Sequence, residues 1–377
     1  MSETRIIPIV MPKWGLSMSE GKLGAWLKKP GDLIAVGDEI LEVETDKISN
    51  VVEAGDAGKL RRIIGTPDTV YPVKALLAVL ADDSVGEDEI DAYVAAFETP
   101  AAAGEGEGEA TDRYAFLELP VGRIRYAREG SGPHAVVLVH GFGGDADNWL
   151  FNIGALAEDS TVYALDLPGH GQSTKALADA SIGGLTATLA AFMDALGIEK
   201  ADLVGHSMGG AVILRLAVEA PERVRSLTLI CSAGLGSEID AGYIEGFVRA
   251  GSRKELKPVL ERLFVEPGLV GRQMIDELLK YKRLDGVQEA LTALSGNLFA
   301  DGRQSTVLRD ALAGLSCPVL VVWGAQDRVI PMEHGQGLPS TVRSETIEGA
   351  GHMVQMERST QVNDLIGRHL AGTSRGA

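Results

Sequence analysis

Apolar positions in the first eighty or so residues recur every second residue, in short runs bounded by glycine and aspartate. Ile40-Leu41-Glu42-Val43 and Ile48 through Val52 flank Glu44-Thr45-Asp46-Lys47. They read as two strands meeting at a tight turn, with Asp46 and Lys47 at its tip. Gly21-Lys22-Leu23 recurs as Gly58-Lys59-Leu60, and after a slip of one residue Asp32, Ile34, Ile40, Val43 and Asp46 fall on Asp68, Val70, Leu76, Val79 and Asp82. Two similar all-β halves predict a small sandwich of pseudo-twofold form, with Gly31-Asp32 and Gly37-Asp38 supplying turns. The second half has no lysine at the position of Lys47, which singles that residue out.

The period then changes. Between Ser84 and Glu98, Ile90, Tyr93, Val94 and Phe97 form the stripe of an amphipathic helix, with Glu87, Asp88 and Glu89 near its positive end. Such a helix either packs on its own domains or docks another subunit. Thr99-Pro100-Ala101-Ala102-Ala103-Gly104 and the Gly-Glu alternation to Glu109 build no core and are expected to stay extended and mobile. A flexible tether of this kind holds what it joins at an effective concentration of roughly millimolar.

From about Tyr114 strand-like runs alternate with helical ones. Ala135 to Val139, Thr161 to Leu165, Ala201 to Val204, Ser226 to Ile230 and Pro318 to Val322 are the expected core strands, with helical patterns such as Leu185 to Leu196 and Met208 to Val218 between them. Alternation predicts a largely parallel sheet flanked by helices.

Composition narrows the function. The chain has 377 residues, enough for two or three domains, and 45% hydrophobic residues with no apolar run of transmembrane length. The start, Met1-Ser2-Glu3-Thr4-Arg5, lacks the pattern of a secretory signal. Cys231 and Cys317 border apolar runs without metal-ligand spacing, so buried reduced thiols, no metal and a cytoplasmic setting are expected. A formal net charge of −18 argues against nucleic acid or an anionic membrane as partner. Much of that charge lies between Asp83 and Asp112, a stretch without lysine or arginine.

Gly205-His206-Ser207-Met208-Gly209 follows the strand ending at Val204 and opens a helix. In that context G-x-S-x-G is a nucleophile elbow, and the sharp turn leaves little room for side chains two residues either side of Ser207. Asp327 and His352 follow the last strands, giving the order Ser, Asp, His. His352 would take the Ser207 proton and Asp327 would hold its imidazole, with Glu348 as the fallback acid. In His140-Gly141-Phe142-Gly143-Gly144 the backbone N–H of Phe142 is expected to form an oxyanion hole with that of Met208.

These motifs carry two resemblances. Residues 8 to 82, with MPKWGLSMSEG, KKPGD, VGDEILEVETDKIS and the GKL repeat, resemble a lipoyl domain. The resemblance implies an all-β flattened barrel over residues 4–82 and lipoate in amide linkage on Lys47. Biotin carriers share that fold but usually show Met-Lys-Met, from which Asp46-Lys47-Ile48 departs. After an acidic linker over 83–113, residues 114–371 resemble the α/β-hydrolase family, in which an insert such as the leucine-rich 237–315 caps the active site. Trp149, Tyr243, Phe247, Phe264, Tyr281 and Phe299 are candidates to line its pocket, though most are expected to be packing residues.

A lipoyl arm implies a 2-oxo-acid-dehydrogenase-type complex, whose usual acyltransferase domain begins its motif H-x-x-x-D-G with histidine; none of the seven histidines here does so. A hydrolase-like domain in that place, with HGFGGDADNWLFN, resembles the acyltransferase subunits of bacterial acetoin-cleaving dehydrogenase complexes. The resemblance implies acetyl transfer from lipoyl-Lys47 to coenzyme A through the triad. It also implies thiamin-diphosphate acetoin dehydrogenase subunits and dihydrolipoyl dehydrogenase as partners, and a homo-oligomer. The alternative is a serine hydrolase, a thioesterase or a C–C or ester hydrolase, with a lipoyl carrier. No phosphate-cradling glycine loop or basic cluster for coenzyme A stands out in the sequence.

Overall fold

The computed structural model describes residues 6–12, 20–44, 49–97 and 114–374. The chain divides into two compact units, Met1–Thr111 and Asp112–Ala377.

The strands of the first unit are β1 (Ile6–Val10), β2 (Glu20–Trp26), β3 (Leu33–Ile34), β4 (Glu39–Glu44), β5 (Ser49–Glu53), β6 (Gly58–Ile63), β7 (Val70–Pro72) and β8 (Leu76–Ala81). They form two sheets of order β1-β8-β6-β3 and β5-β4-β2-β7. Each position in the first sheet is matched in the second by a strand from the other half of the repeat: β6 answers β2, and β8 answers β4. The sequence repeat is thus a structural twofold, with Leu23, Leu41, Val43, Leu60 and Leu77 buried between the sheets. In the β4–β5 pair Glu44 faces Ser49, so the strands bring the chain to and from residues 45–48 in register. Lys47 itself lies outside the described residues.

Helix α1 (Glu87–Ala96) packs on this unit, one of the two arrangements that its apolar stripe allows. Its Ile90 is fully buried against Leu76, Val79, Ala81 and Val85, with Tyr93, Val94 and Phe97 beside it. This explains a difference between twofold mates. Strand β4 interrupts its apolar residues with exposed Glu39, Glu42 and Glu44, whereas β8, LLAVLA, is buried throughout because α1 covers its second face. Arg62 pairs with Glu87 and Asp91, and Arg61 with Glu87. Those exposed pairs are screened by water and contribute little; burial of Ile90, ~1.5–3 kcal/mol, dominates. The rest of the acidic stretch, residues 98–113, lies outside the described residues.

The second unit is an eight-stranded sheet built from β9 (Tyr114–Leu119), β10 (Gly122–Glu129), β11 (Ala135–Val139), β12 (Thr161–Leu165), β13 (Ala201–His206), β14 (Val224–Ile230), β15 (Val319–Gly324) and β16 (Val342–Ile347). Its order is β16-β15-β14-β13-β11-β12-β10-β9. Strands β11 to β16 are parallel, and β10 pairs antiparallel with β12 and β9. The central strands are buried along nearly their whole length because helices cover both faces of such a sheet. Short α2 (Ile153–Leu156), α3 (Ile182–Ala195) and α4 (Met208–Glu219) are set among the first parallel strands. Four helices, α5 (Ala241–Arg249), α6 (Arg253–Leu260), α7 (Arg272–Lys282) and α8 (Val287–Leu298), form an insert between β14 and β15. Short α9 (Val354–Glu357) and α10 (Ser359–Ser374) end the unit. The carboxyl ends of β11, β13 and β15, where open α/β sheets bind ligands, lead to His140, Ser207 and Asp327.

Replacing Ile90 with Asp is expected to cost ~2–5 kcal/mol of the first unit's stability. Hydrogen exchange on the full chain is predicted to show lost protection in α1 and β8 while α3 and α4 keep theirs.

Candidate active site

Ser207 sits between β13 and α4 with φ +52° and ψ −120°, a conformation that L residues avoid. The surrounding backbone holds it there. Ser207 N–H donates to Ile230 O, and Ser207 O accepts from Gly210 and Ala233 N–H. The elbow glycines are steric necessities: a Cβ on Gly205 would stand 2.5 Å from Gly209 O, and one on Gly209 2.2 Å from Val139 O. Met208 opens α4, so its N–H is among the first-turn donors without an intrahelical acceptor. The glycine-rich loop after β11 lies against the same point, since a Cβ on Gly141 would come within 3.0 Å of Ser207 Cβ. Next to it, among the described residues no backbone carbonyl takes the N–H of Phe142.

Asp327 and His352 meet as the sequence expects: His352 Nδ1 lies 2.8 Å from Asp327 Oδ2, both side chains buried. A carboxylate only accepts, so Nδ1 carries the proton and the Nε2 lone pair is free to accept one from Ser207. The other Asp327 oxygen accepts from Val329 and Ile330 N–H at 2.8 and 3.0 Å. Burial pushes the Asp327 carboxyl up, but the His352 charge and hydrogen bond, with those two amides, outweigh it and hold the group below its usual range. Glu348, the fallback acid, is exposed and accepts from Gln326 Nε2, so it plays no part in the pair.

Other groups support the site without local sequence signals. His206, inside the elbow motif, directs Nε2 to His352 O at 2.9 Å, and burial followed by the His352 charge takes it down to about 3. It is therefore a neutral prop beneath the His352 imidazole. His140 spans Gly141 O and Leu167 N–H with its two ring nitrogens, fixing one neutral tautomer. Burial lowers its affinity for a proton. Glu357 accepts from Gly351 N–H and, with its other oxygen, from Val265 N–H, tying the His352 loop to the insert. Met353 N–H adds a bond to Leu263 O.

Cys231 lies against Asp327 and His352. Burial and then the Asp327 charge raise its thiol well above the ordinary range, so it stays protonated, which suits neither a nucleophile nor a thiolate metal ligand. Of the aromatic candidates, Phe247 and Phe299 pack edge-on against Phe142 at 5.9 and 5.7 Å. Trp149, Tyr243 and Phe264 are buried packing residues. A nucleophile on a strained elbow, a base held by a buried acid and two N–H donors can form and break a covalent acyl-serine.

Comparison with known proteins agrees. The family model for the α/β hydrolase fold matches residues 134–359, and that for biotin-requiring enzymes matches residues 7–80. The dihydrolipoyllysine-residue acetyltransferase component of the acetoin cleaving system from Cupriavidus necator is 54% identical over 97% of this chain and 98% of that protein. Its counterpart from Pseudomonas putida is 49% identical over 96% and 98%. The chain belongs to this family of acetyltransferase components. Both units are held in common with these relatives, since the alignments run nearly end to end. Among solved structures, 2-hydroxy-6-oxo-6-phenylhexa-2,4-dienoate hydrolase from Rhodococcus sp. strain RHA1 matches with a TM-score of 0.60 and 26% identity, over 68% of this chain and 99% of that one. That match is to the second unit's fold, so the family has set a hydrolase scaffold behind a lipoyl-type domain. Among the described residues no helix is long and apolar enough to cross a membrane.

Asp327→Asn is expected to leave the fold intact and to slow acylation by an ester substrate by on the order of 10³–10⁴-fold, as in serine-protease triads. Glu348→Gln should stay within about twofold of the wild type in the same burst assay, as surface changes do.

Proposed function

We propose that the protein transfers an acetyl group from a lipoyl thioester on Lys47 to coenzyme A through an acetyl-Ser207 intermediate. The observation that carries this reading is the buried His352–Asp327 pair, packed on His206 next to the strained Ser207 in sequence, in a chain whose other unit is a lipoyl-type domain. The paired ends of β4 and β5 suit a lysine at a hairpin tip as the attachment point. Lipoate there supplies the acyl group as a thioester on a long arm.

The chain's own residues perform the exchange. Ser207 Oγ attacks the acetyl carbonyl as His352 Nε2 takes its proton. The Phe142 and Met208 N–H groups stabilise the tetrahedral oxyanion. The C–S bond breaks and the departing sulfur receives the proton from His352. In the return half, the coenzyme A thiol gives its proton to His352 and its sulfur attacks the acetyl carbon. The C–O bond to Ser207 breaks, and His352 returns the proton to Oγ. One thioester replaces another, and nothing is oxidised or reduced. Asp327 stays ionised throughout and stabilises the transient imidazolium.

Membership in a multi-subunit acetoin cleaving system supports thiamin-diphosphate acetoin dehydrogenase subunits and dihydrolipoyl dehydrogenase as partners. Homo-oligomerisation and a cytoplasmic setting belong to the same reading. Likeness to a hydrolase favours one rival, in which water takes the acyl group. The test is a single turnover of lipoylated, acetyl-loaded protein with coenzyme A. Wild type should give acetyl-CoA, with Ser207→Ala slower by at least about a thousandfold and Lys47→Arg, which cannot be lipoylated, giving none. Acetate alone from wild type would make the protein a thioester hydrolase.

A further inference from the structure

Two adjacent residues in the last turn of α7 reach in different directions, and each leads through neighbouring residues to Phe142. Lys282 is 9% exposed, and among the described residues no carboxylate pairs with it. Its ammonium instead donates to Phe247 O at 2.5 Å and Val248 O at 3.2 Å, and lies 4.9 Å from the Phe247 ring centre. These carbonyls belong to the last turn of α5, where helices leave acceptors unsatisfied and carry partial negative charge. Burial lowers the amine to about 8, so the site spends desolvation free energy on holding the end of α5. Phe247 is what that end presents. Its ring packs on Phe142, and a Cβ on Gly143 (φ +74°) would stand 2.4 Å from it.

Tyr281 goes the other way. Its hydroxyl donates to Gly169 O at 2.7 Å, in the loop after β12. Leu294 and Ala290 of α8 crowd Gly169 from the insert side. The next residue, His170, packs edge-on against both Phe142 at 6.1 Å and His140 at 4.9 Å. Both routes therefore converge on the oxyanion loop: Lys282 through Phe247, and Tyr281 through Gly169 and His170.

We propose that Tyr281 and Lys282 are positioning residues that hold the helical insert closed on the oxyanion loop, and that this closure decides whether acetyl-Ser207 gives its acetyl to a thiol or to water. The inference rests on the acyl-serine reading of the site. Phe142 packs with Phe247 and Phe299 in one apolar cluster, and the Gly141 before it lies against Ser207. A water needs two to four polar partners to reside in such a place, whereas a thiol on a carbon chain does not. Either acceptor would pass its proton to His352 and release Ser207 by the same C–O cleavage; only access differs.

The test loads Ser207 of the full chain from p-nitrophenyl acetate, with no need of the lipoyl arm, and measures the acetate to acetyl-CoA ratio at fixed coenzyme A. Tyr281→Phe, which removes one hydroxyl, and Lys282→Met, which keeps the stem without a donor, are each expected to raise that ratio at least about fivefold. Lys282→Gln, which restores N–H donors, should lie nearer to wild type than Lys282→Met. A ratio within about twofold of wild type in both Tyr281→Phe and Lys282→Met, even with lowered melting temperature or burst rate, would reduce the pair to a structural role and overturn the proposal. If wild type yields acetate alone, the transfer reading fails separately. Closure is then judged on deacylation to water relative to the burst rate, which must still rise in both variants.

Discussion

Backbone packed against backbone at the end of β13 is the constraint on which the rest of the active unit depends. With Gly209 against Val139 O and Gly205 against Gly209 O, the chain has one way to turn from strand to helix, and that way forces Ser207 to positive φ. The strain is borne by the parallel pairing of β13 with β11 and β14 and by the bonds to Ile230, Gly210 and Ala233. In return the nucleophile stands at the carboxyl edge of the sheet, beside the first-turn N–H of α4 and the glycine loop after β11. A similar close approach shapes the other arm of the triad: a Cβ on Gly324 would stand 2.1 Å from Gly351 O, so the acid and histidine loops fit together only around a glycine.

Electrostatics then distinguish the histidines around it. Four buried histidines crowd this end of the sheet, and burial disfavours a proton on His140, His170 and His206 alike. Of the four, His352 is the one with a carboxylate on its ring, and that carboxylate is kept ionised by the imidazole and two backbone amides. His140, His170 and His206 are thus held by carbonyl bonds as props, and His352 is set apart by its bond to Asp327.

Legibility in the sequence followed the physics of each feature. Ser207, Asp327 and His352 could be read because the backbone geometry around them admits little but glycine, which leaves local motifs. The lipoyl-type unit could be read because its twofold is written as the GKL repeat. Core strands such as Ala135 to Val139 and Thr161 to Leu165 matched the structure to the residue, since an apolar run with polar ends has one buried solution. Strands β9 and β10 at one end of the sheet and the edge strand β16 at the other carry mixed, partly exposed residues and gave no such signal. Helix α1 was visible as a stripe, but its partner was not; the clue lay in β8, apolar on both faces where β4 is not. Glu357, His206 and Lys282 act on backbone atoms brought close only by the fold. A lone lysine in an amphipathic helix has no local mark that separates it from a surface charge.

Everything in the proposed exchange turns on whether the acetyl group passes through Ser207. The most direct measurement is rapid-quench mass spectrometry of the peptide containing Ser207, after acetyl loading of the lipoylated protein without coenzyme A and again after a coenzyme A chase. Passage through Ser207 requires an acetyl group there that disappears in the chase, with an equal amount of acetyl-CoA formed. An unmodified Ser207 peptide before the chase, followed by full acetyl-CoA formation, would contradict it and show direct transfer from arm to thiol.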